Sequence, residues 1–331
     1  MTRTRSVTIK DIAVAAGVSQ GTVSNVLSGR QTVTPVLRGR VTDAAQRLGY
    51  RPNAVAANLR RNNSTTFGLC IPALNNPFFC DLMQHLVALA ESDGYDVLVL
   101  ETREDGRNEA AKLETLYRNR VRGVFMVPTA SWAGQYDGNT PMIVVDRIRP
   151  GEGLPSVAID NVAAAGAAFK YLYDLGHRDI WLAVNSSAIW NSRQRIDGFE
   201  AAAREAKATR ARVIEVGMTP RETASNLLAE LQRDMPTAIL TASGIATLGT
   251  LRAVHDRGIS IPGDISLLGF DDASWMDVLR PSISVVAQPI EAIAKRAWAL
   301  MNSAVEGHQP INHVLLDATI IERDSTKRIG R

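Results

Sequence analysis

Gln20, Gly21, Ser24 and Asn25 lie on one side of a helical repeat whose other side is Val23, Val26 and Leu27. A helix that buries the apolar side presents the polar set to a partner. Gln and Asn can pair bidentately with adenine, and Ser and Thr suit phosphates or base edges. A recognition helix places its N-terminal residues in the major groove. A solvated helical hairpin would show the same pattern, so charge must help decide. Residues 1–61 carry ten Lys and Arg against Asp11 and Asp43, which leaves 27 basic and 32 acidic residues for the rest of the chain. A basic head on a mildly acidic body points to a polyanion partner for the head.

Signs of catalysis are sparse. Asp271 and Asp272 follow the apolar run LLGF, but neighbours in an extended segment point in opposite directions and do not form one acid–base site. A ligand hydrogen bond or a turn carboxylate suits them better. Glycine-rich phosphate loops, HExxH and GxSxG are missing, and the histidines at 85, 177, 255, 308 and 313 are dispersed. Cys70 and Cys80 support neither a disulfide framework nor a multi-cysteine metal site, and both are expected to be reduced thiols. No metal or cofactor is expected. Apolar content of 45% and charged content of 21% suit a soluble globular protein. No apolar run is long enough to span a membrane, and MTRTRSVTIK lacks the apolar core of a secretory signal. A cytoplasmic protein without a membrane partner is expected.

The elements that must position these residues begin with three short helices. Thr8 and Asp11 have capping-box spacing, Ile12, Ala15 and Ala16 give the first helix an apolar face, and Gly17 ends it. Ser19 caps the second helix, and Gly29 stops it. Thr34-Pro35 starts a third, with Val36, Leu37, Val41, Ala44, Ala45 and Leu48 inward and Gly49 at its close. RPNAVAANLRRNNST follows as a hinge too short to be helical alone. From Thr66 apolar strands alternate with amphipathic helices. Strands are predicted at 67–74, 95–102, 123–129, 141–147, 156–160, 179–184, 211–216, 238–242 and 264–270. The pattern implies two doubly wound lobes with parallel sheets and ligands beyond the carboxyl ends of the strands.

TIKDIAVAAGVSQGTVSNVLSG and VTPVLRGRVTDAAQRLGYRPNAVAANL resemble the DNA-binding head of the LacI/GalR family of bacterial transcription regulators. The resemblance continues in order through NNPFF, VVDR, LGHRDIWL, RQRIDGFEAA, GISIPGDISLLGFDD and IERDST, covering essentially the whole chain. It implies an all-α helix-turn-helix head (1–50), a hinge helix and linker (51–65), and a two-lobed, periplasmic-binding-protein-like effector and dimerisation domain (66–331). The N-lobe would comprise about 66–161 plus 289–316, and the C-lobe about 162–288 plus 317–331. The implied partners are double-stranded operator DNA, a second copy of the chain and a small metabolite. The implied role is a ligand-responsive, nucleoid-associated repressor on a palindromic operator.

By position, the resemblance assigns base reading to Gln20, Gly21 and Asn25, and phosphate contacts to Thr8, Ser19, Thr22 and Ser24. Gly21 has no side chain to read with, and Asn25 replaces a common arginine, so the base code should be thin. Leu59 matches the minor-groove wedge, flanked by Ala56, Asn58 and Arg60, while Ala57 stands where arginine is frequent. The effector cleft would be lined by Phe78, Phe79, Asp146, Arg195 and Asp271, joined by Asp160, Trp190 and Ser243. Aromatic faces suit a ring, and carboxylates with a guanidinium suit hydroxyls or an acid. Ser243-Gly244 replaces the family's frequent Asn-Asp, and the loop near Met218 lacks an aromatic. A sugar, modified sugar, sugar acid or related metabolite is expected. A cytoplasmic solute-binding protein and an enzyme working in the cleft are the alternatives.

Overall fold

The computed structural model describes residues 7–27, 33–50, 64–132, 136–148, 153–206, 210–308 and 313–330. Two compact units, Met1–Ser64 and Thr65–Arg331, divide the chain.

In the head, α1 (Ile9–Ala16), α2 (Gln20–Leu27) and α3 (Pro35–Arg47) close around Ile12, Ala13, Ala16, Val23, Val26, Val41 and Ala44. The capping box at α1 is formed: Asp11 N donates to Thr8 Oγ1 at 3.3 Å, and Thr8 N donates to Asp11 Oδ2 at 2.8 Å. Gly17 ends α1 in the left-handed region, with φ 64°. Two expectations about faces are corrected. Ala15 is exposed and Ala13 takes its place, while Val36 is 74% exposed at the start of α3. Positions three and four apart both fit an apolar stripe, and the packing of α2 and α3 selects which of them becomes core. Leu27 and Leu48 are likewise rim residues rather than core.

The body contains two six-stranded sheets. The first runs in the order β11-β5-β4-β3-β1-β2, with β1 (Thr66–Ile71), β2 (Asp96–Glu101), β3 (Val124–Met126), β4 (Met142–Val145), β5 (Ser156–Ile159) and β11 (His313–Leu316), all parallel. The second runs β12-β10-β9-β8-β6-β7, with β6 (Asp179–Val184), β7 (Arg210–Glu215), β8 (Ala238–Thr241), β9 (Ser266–Phe270), β10 (Ser284–Ala287) and β12 (Thr319–Ile321). Helices α4 (Pro77–Ser92), α5 (Gly106–Arg118) and α10 (Ile290–Val305) accompany the first sheet; α6 (Asn161–Asp174), α7 (Trp190–Glu205), α8 (Pro220–Leu231) and α9 (Gly244–Asp256) accompany the second. Strand interiors such as Leu69, Phe125, Ile143, Leu182 and Leu240 are fully buried, as sheets covered on both faces require. Helices α6 and α7 approach so closely that a Cβ on Gly198 would fall 2.1 Å from Val162 O.

The chain passes between the sheets three times, after β5, β10 and β11. The last passage explains the one departure from parallel order: β12 pairs antiparallel with β10, Val285 opposite Ile321. A strand leaving one sheet by its carboxyl end and running directly into the facing sheet enters it by the carboxyl edge, so it must run backwards there. Parallel pairing would require a crossover connection, and only Asp317 and Ala318 separate β11 from β12.

Candidate functional site

In the head, Ser19 Oγ accepts from Thr22 N at 3.1 Å and bonds Thr22 Oγ1 at 2.9 Å, fixing the start of α2. Ser19, Gln20 and Gly21 are exposed, and Thr22, Ser24 and Asn25 are half-buried, while Val23 and Val26 are core. These polar residues therefore share the outward surface of α2, whereas Thr8 lies in the capping box of α1. The hinge assignments Leu59, Ala56, Asn58 and Arg60 lie outside the described residues.

In the body, a cleft of about 600 Å³ opens between the two sheets. Its lining begins where strands end: Pro72 follows β1, Asp146 follows β4, Asn185 follows β6, Ala242 follows β8 and Asp271 follows β9. Phe78, Phe79, Asp146, Arg195, Asp271 and Ser243 all line it. Asp160 and Trp190 do not. Asp160 caps α6, accepting from Ala163 N at 2.9 Å, and this capping of the helix explains why the position favours Asp. Trp190 opens α7 one residue before the side chain that does reach the cleft, Asn191.

The polar floor is organised by the protein's own hydrogen bonds. Arg195 is 3% exposed; its Nε donates to Asn161 Oδ1 at 2.8 Å, its Nη1 donates to Ala242 O at 2.6 Å, and its guanidinium stacks 3.6 Å from the Phe270 ring centroid. Its Nη2 is buried with no hydrogen-bond partner. Burial lowers the pKa of Arg195, opposed by the nearby Asp271 and Asp146 carboxylates. Asp271 Oδ1 accepts from Gln288 Nε2 at 2.7 Å and Oδ2 from Gly244 N, at the start of α9, at 3.2 Å. Asp146 Oδ2 accepts from Asn191 Nδ2 at 3.2 Å, a bond that joins the two lobes. Burial pushes the Asp146 carboxyl up to about 6, with Arg147 and Arg195 opposing the rise. Arg147 holds the neighbouring wall: it grips both Glu104 oxygens, at 2.6 and 2.9 Å, and donates to Pro128 O at 3.0 Å.

Arg147, Asn185, Asn191, Trp275 and Gln288 join the lining without having been singled out in the sequence. Arg147 adjoins Asp146 and Asn191 adjoins Trp190, so the right stretches were in view. Gln288 reaches the cleft because the second passage between lobes runs beside it, a tertiary fact with no local signature. Among the described residues, no group of three His, Cys, Asp or Glu side chains could hold a metal, and no helix is long and apolar enough to cross a membrane.

Residues 8–53 match bacterial regulatory proteins of the lacI family, and residues 169–326 match a periplasmic binding protein-like domain. The HTH-type transcriptional regulator PtxS of Pseudomonas plecoglossicida is 31% identical over 98% of this chain and 96% of its own. The chain belongs to the lacI family. Within that family, the HTH-type transcriptional repressor CytR of Escherichia coli K12 is 28% identical over 97% of each chain. The fold matches the crystal structure of the lac repressor dimer bound to operator and the anti-inducer ONPF, with a TM-score of 0.85, 23% identity, and coverage of 98% of this chain and 100% of that one. This lacI-family chain is therefore a DNA-binding transcriptional regulator rather than an enzyme, with a helix-turn-helix head and a two-lobed α/β body.

Proposed function

We propose that the protein is a dimeric repressor whose grip on a two-fold symmetric operator depends on a hydroxyl-rich metabolite bound between its lobes. The observation that carries the effector half is Arg195: a buried guanidinium fixed on two sides, with Nη2 unpartnered, beside the Asp146 and Asp271 carboxylates. Such a pairing of donor and acceptors suits vicinal hydroxyls, each of which both donates and accepts. A sugar, sugar derivative or sugar acid fits this chemistry.

For the DNA half, Gln20 and Asn25 read bases, with Gly21 allowing close approach, and Thr8, Ser19, Thr22 and Ser24 contact phosphates. Leu59 enters the minor groove, supported by Ala56, Asn58 and Arg60. Residues 66–161 with 289–316, and 162–288 with 317–331, act as the lobes that close on the effector. Closure changes the spacing of the two hinges in the dimer and so their ability to engage the operator together. The effector can act in either direction, according to which state it binds more tightly. The site of action is the cytoplasm, on the nucleoid. Salt-dependent footprinting on palindromic DNA, with and without compounds that stabilise the body, tests the reading. Protection that is sequence-specific and altered by such a compound is expected; protection indifferent to every one of them counts against it.

A further inference from the structure

Behind the N-lobe wall of the cleft lies a buried carboxyl. Glu109, on the first turn of α5, is 2% exposed and is not part of the cleft lining. Its Oε2 accepts from Thr129 N at 2.6 Å, while the carbonyl of the same peptide unit, Pro128 O, accepts from Arg147 Nη1 at 3.0 Å. One peptide group is thus clamped between an acid at its N–H end and a guanidinium at its carbonyl end. The same guanidinium grips Glu104, and both Arg147 and Glu104 line the cleft. Glu104 sits in a turn where it and Arg103 both have left-handed backbones, φ 53° and 58°, a costly conformation that surrounding contacts must hold.

The clamp depends on charge. A carboxylate accepts a stronger hydrogen bond than a protonated carboxyl, and it polarises the peptide so that Pro128 O holds Arg147 more firmly. Burial pushes the Glu109 carboxyl up to about 7 against the bond from Thr129; Glu104 adds to the rise and Arg147 opposes it. The remaining charged or titratable groups nearby are otherwise engaged or neutral. Burial pushes the Cys70 thiol on β1 up to about 12, with Glu109 adding to the rise and Lys112 opposing it. Glu101, which closes β2, accepts from Leu74 N and Arg103 Nε, and Asp105 caps α5.

We propose that Glu109 is a positioning residue for the effector cleft: ionised, it fixes Arg147 and Glu104 through the Pro128–Thr129 peptide, and protonated it frees them, so effector affinity falls as the pH falls. This rests on the effector reading above. By reciprocity, an effector that prefers the fixed wall lowers the affinity of Glu109 for its proton.

The test compares the full-length parent with Glu109→Gln, which keeps an acceptor for Thr129 N but carries no charge at any pH. The guanidinium resonance of Arg147 is followed by NMR between pH 6 and 8 in arginine-labelled protein, assigned with Arg147→Lys. Calorimetric titrations with D-ribose, D-glucose and D-gluconate cover the same range. The Arg147 resonance is expected to titrate with a midpoint near 7 in the parent and to stay flat in the variant. Affinity for a sugar that binds is expected to rise at least threefold from pH 6 to 8 in the parent relative to the variant. Titration of Asp146 is common to both proteins and cancels in that comparison. An Arg147 resonance that ignores pH in the parent, or a sugar bound with the same pH profile by both proteins, overturns the proposal. Failure of every sugar to bind counts against the effector reading instead, and the Arg147 resonance then decides the role of Glu109 without a ligand.

Discussion

Asp146 and Asp271 occupy the same place in the two lobes. Each follows the third strand of its sheet order, β4 in one and β9 in the other. Each has a left-handed backbone, φ 69° and 67°. Each donates its N–H to the neighbouring strand, Asp146 to Val157 O at 2.9 Å and Asp271 to Val286 O at 3.0 Å. The left-handed turn interrupts both strands at the cleft and aims both carboxylates into it. Non-glycine residues held at positive φ cost of the order of 1 kcal/mol or more and cluster at functional sites. The two lobes thus repeat one device, and Arg195 lies between its two copies.

Burial raises Asp146 from 3.8 to about 6, so the folded protein retains this proton where the unfolded chain has lost it. Its contribution to stability is full below about pH 4 and is lost as pH rises towards 6. Asp146→Asn removes that dependence. Thermal melts of the two proteins should diverge by the order of 2–3 kcal/mol between pH 4 and 7, with the variant the more stable at pH 7. Parallel pH profiles would show that the carboxylate is compensated by its partners in the native state.

Arg195→Lys keeps the charge but loses the fork that reaches Asn161, Ala242 O and the cleft together. Stability should fall by about 1–3 kcal/mol because a buried acceptor is left unpaired. Effector affinity should drop at least tenfold, whereas operator affinity without effector should stay close to the parent's. Thermal-shift and anisotropy titrations separate the two effects.

Gly17→Ala forces a side chain into φ 64° and sets its Cβ 2.7 Å from Arg40 Nη2, which can move aside. The backbone term remains and should cost the head about 1 kcal/mol or more. Operator affinity falls with it, and calorimetric effector binding to the body should be unchanged. An equal loss in both would contradict the placement of Gly17 in an independent unit.

Asn25→Ala and Gln20→Ala should alter preference at particular operator positions by about 1–3 kcal/mol each, read by binding to a library of single-base operator variants. Leu59→Ala should weaken specific binding more than nonspecific binding. A uniform loss across all sequences would reassign these side chains to phosphate contact.

Local signals carried the head well. Thr8 with Asp11 and Gly17 mark helix ends because caps and turns are satisfied within a few residues, while at α3 Pro35 marks the start and the Thr34 side chain makes no cap hydrogen bond. The misplaced Ala15 and Val36 show the limit, since helical spacing allows more than one stripe and only packing chooses. Nine of the body's strands were legible as apolar runs, but β10 was not, although it lies inside the second sheet between β9 and β12. Edge strands β11 and β12 were not either, being short and partly exposed. Part of the cleft was hidden for a different reason: Gln288 enters it where the chain leaves β10 for the other lobe, and Asn191 enters it from the first turn of α7, beside Trp190. Asp160 and Trp190 sit beside true lining elements, yet they face a helix cap and a helix start.

The central claim is that occupancy of the cleft sets operator affinity through Arg195. The direct measurement is fluorescence-anisotropy titration of a palindromic operator with the parent and with Arg195→Lys, at fixed salt, with and without a compound that stabilises the parent's body. Operator affinity should shift at least fivefold for the parent and little or not at all for the variant at the same compound concentration. An equal shift in both proteins, or none in the parent, would contradict it.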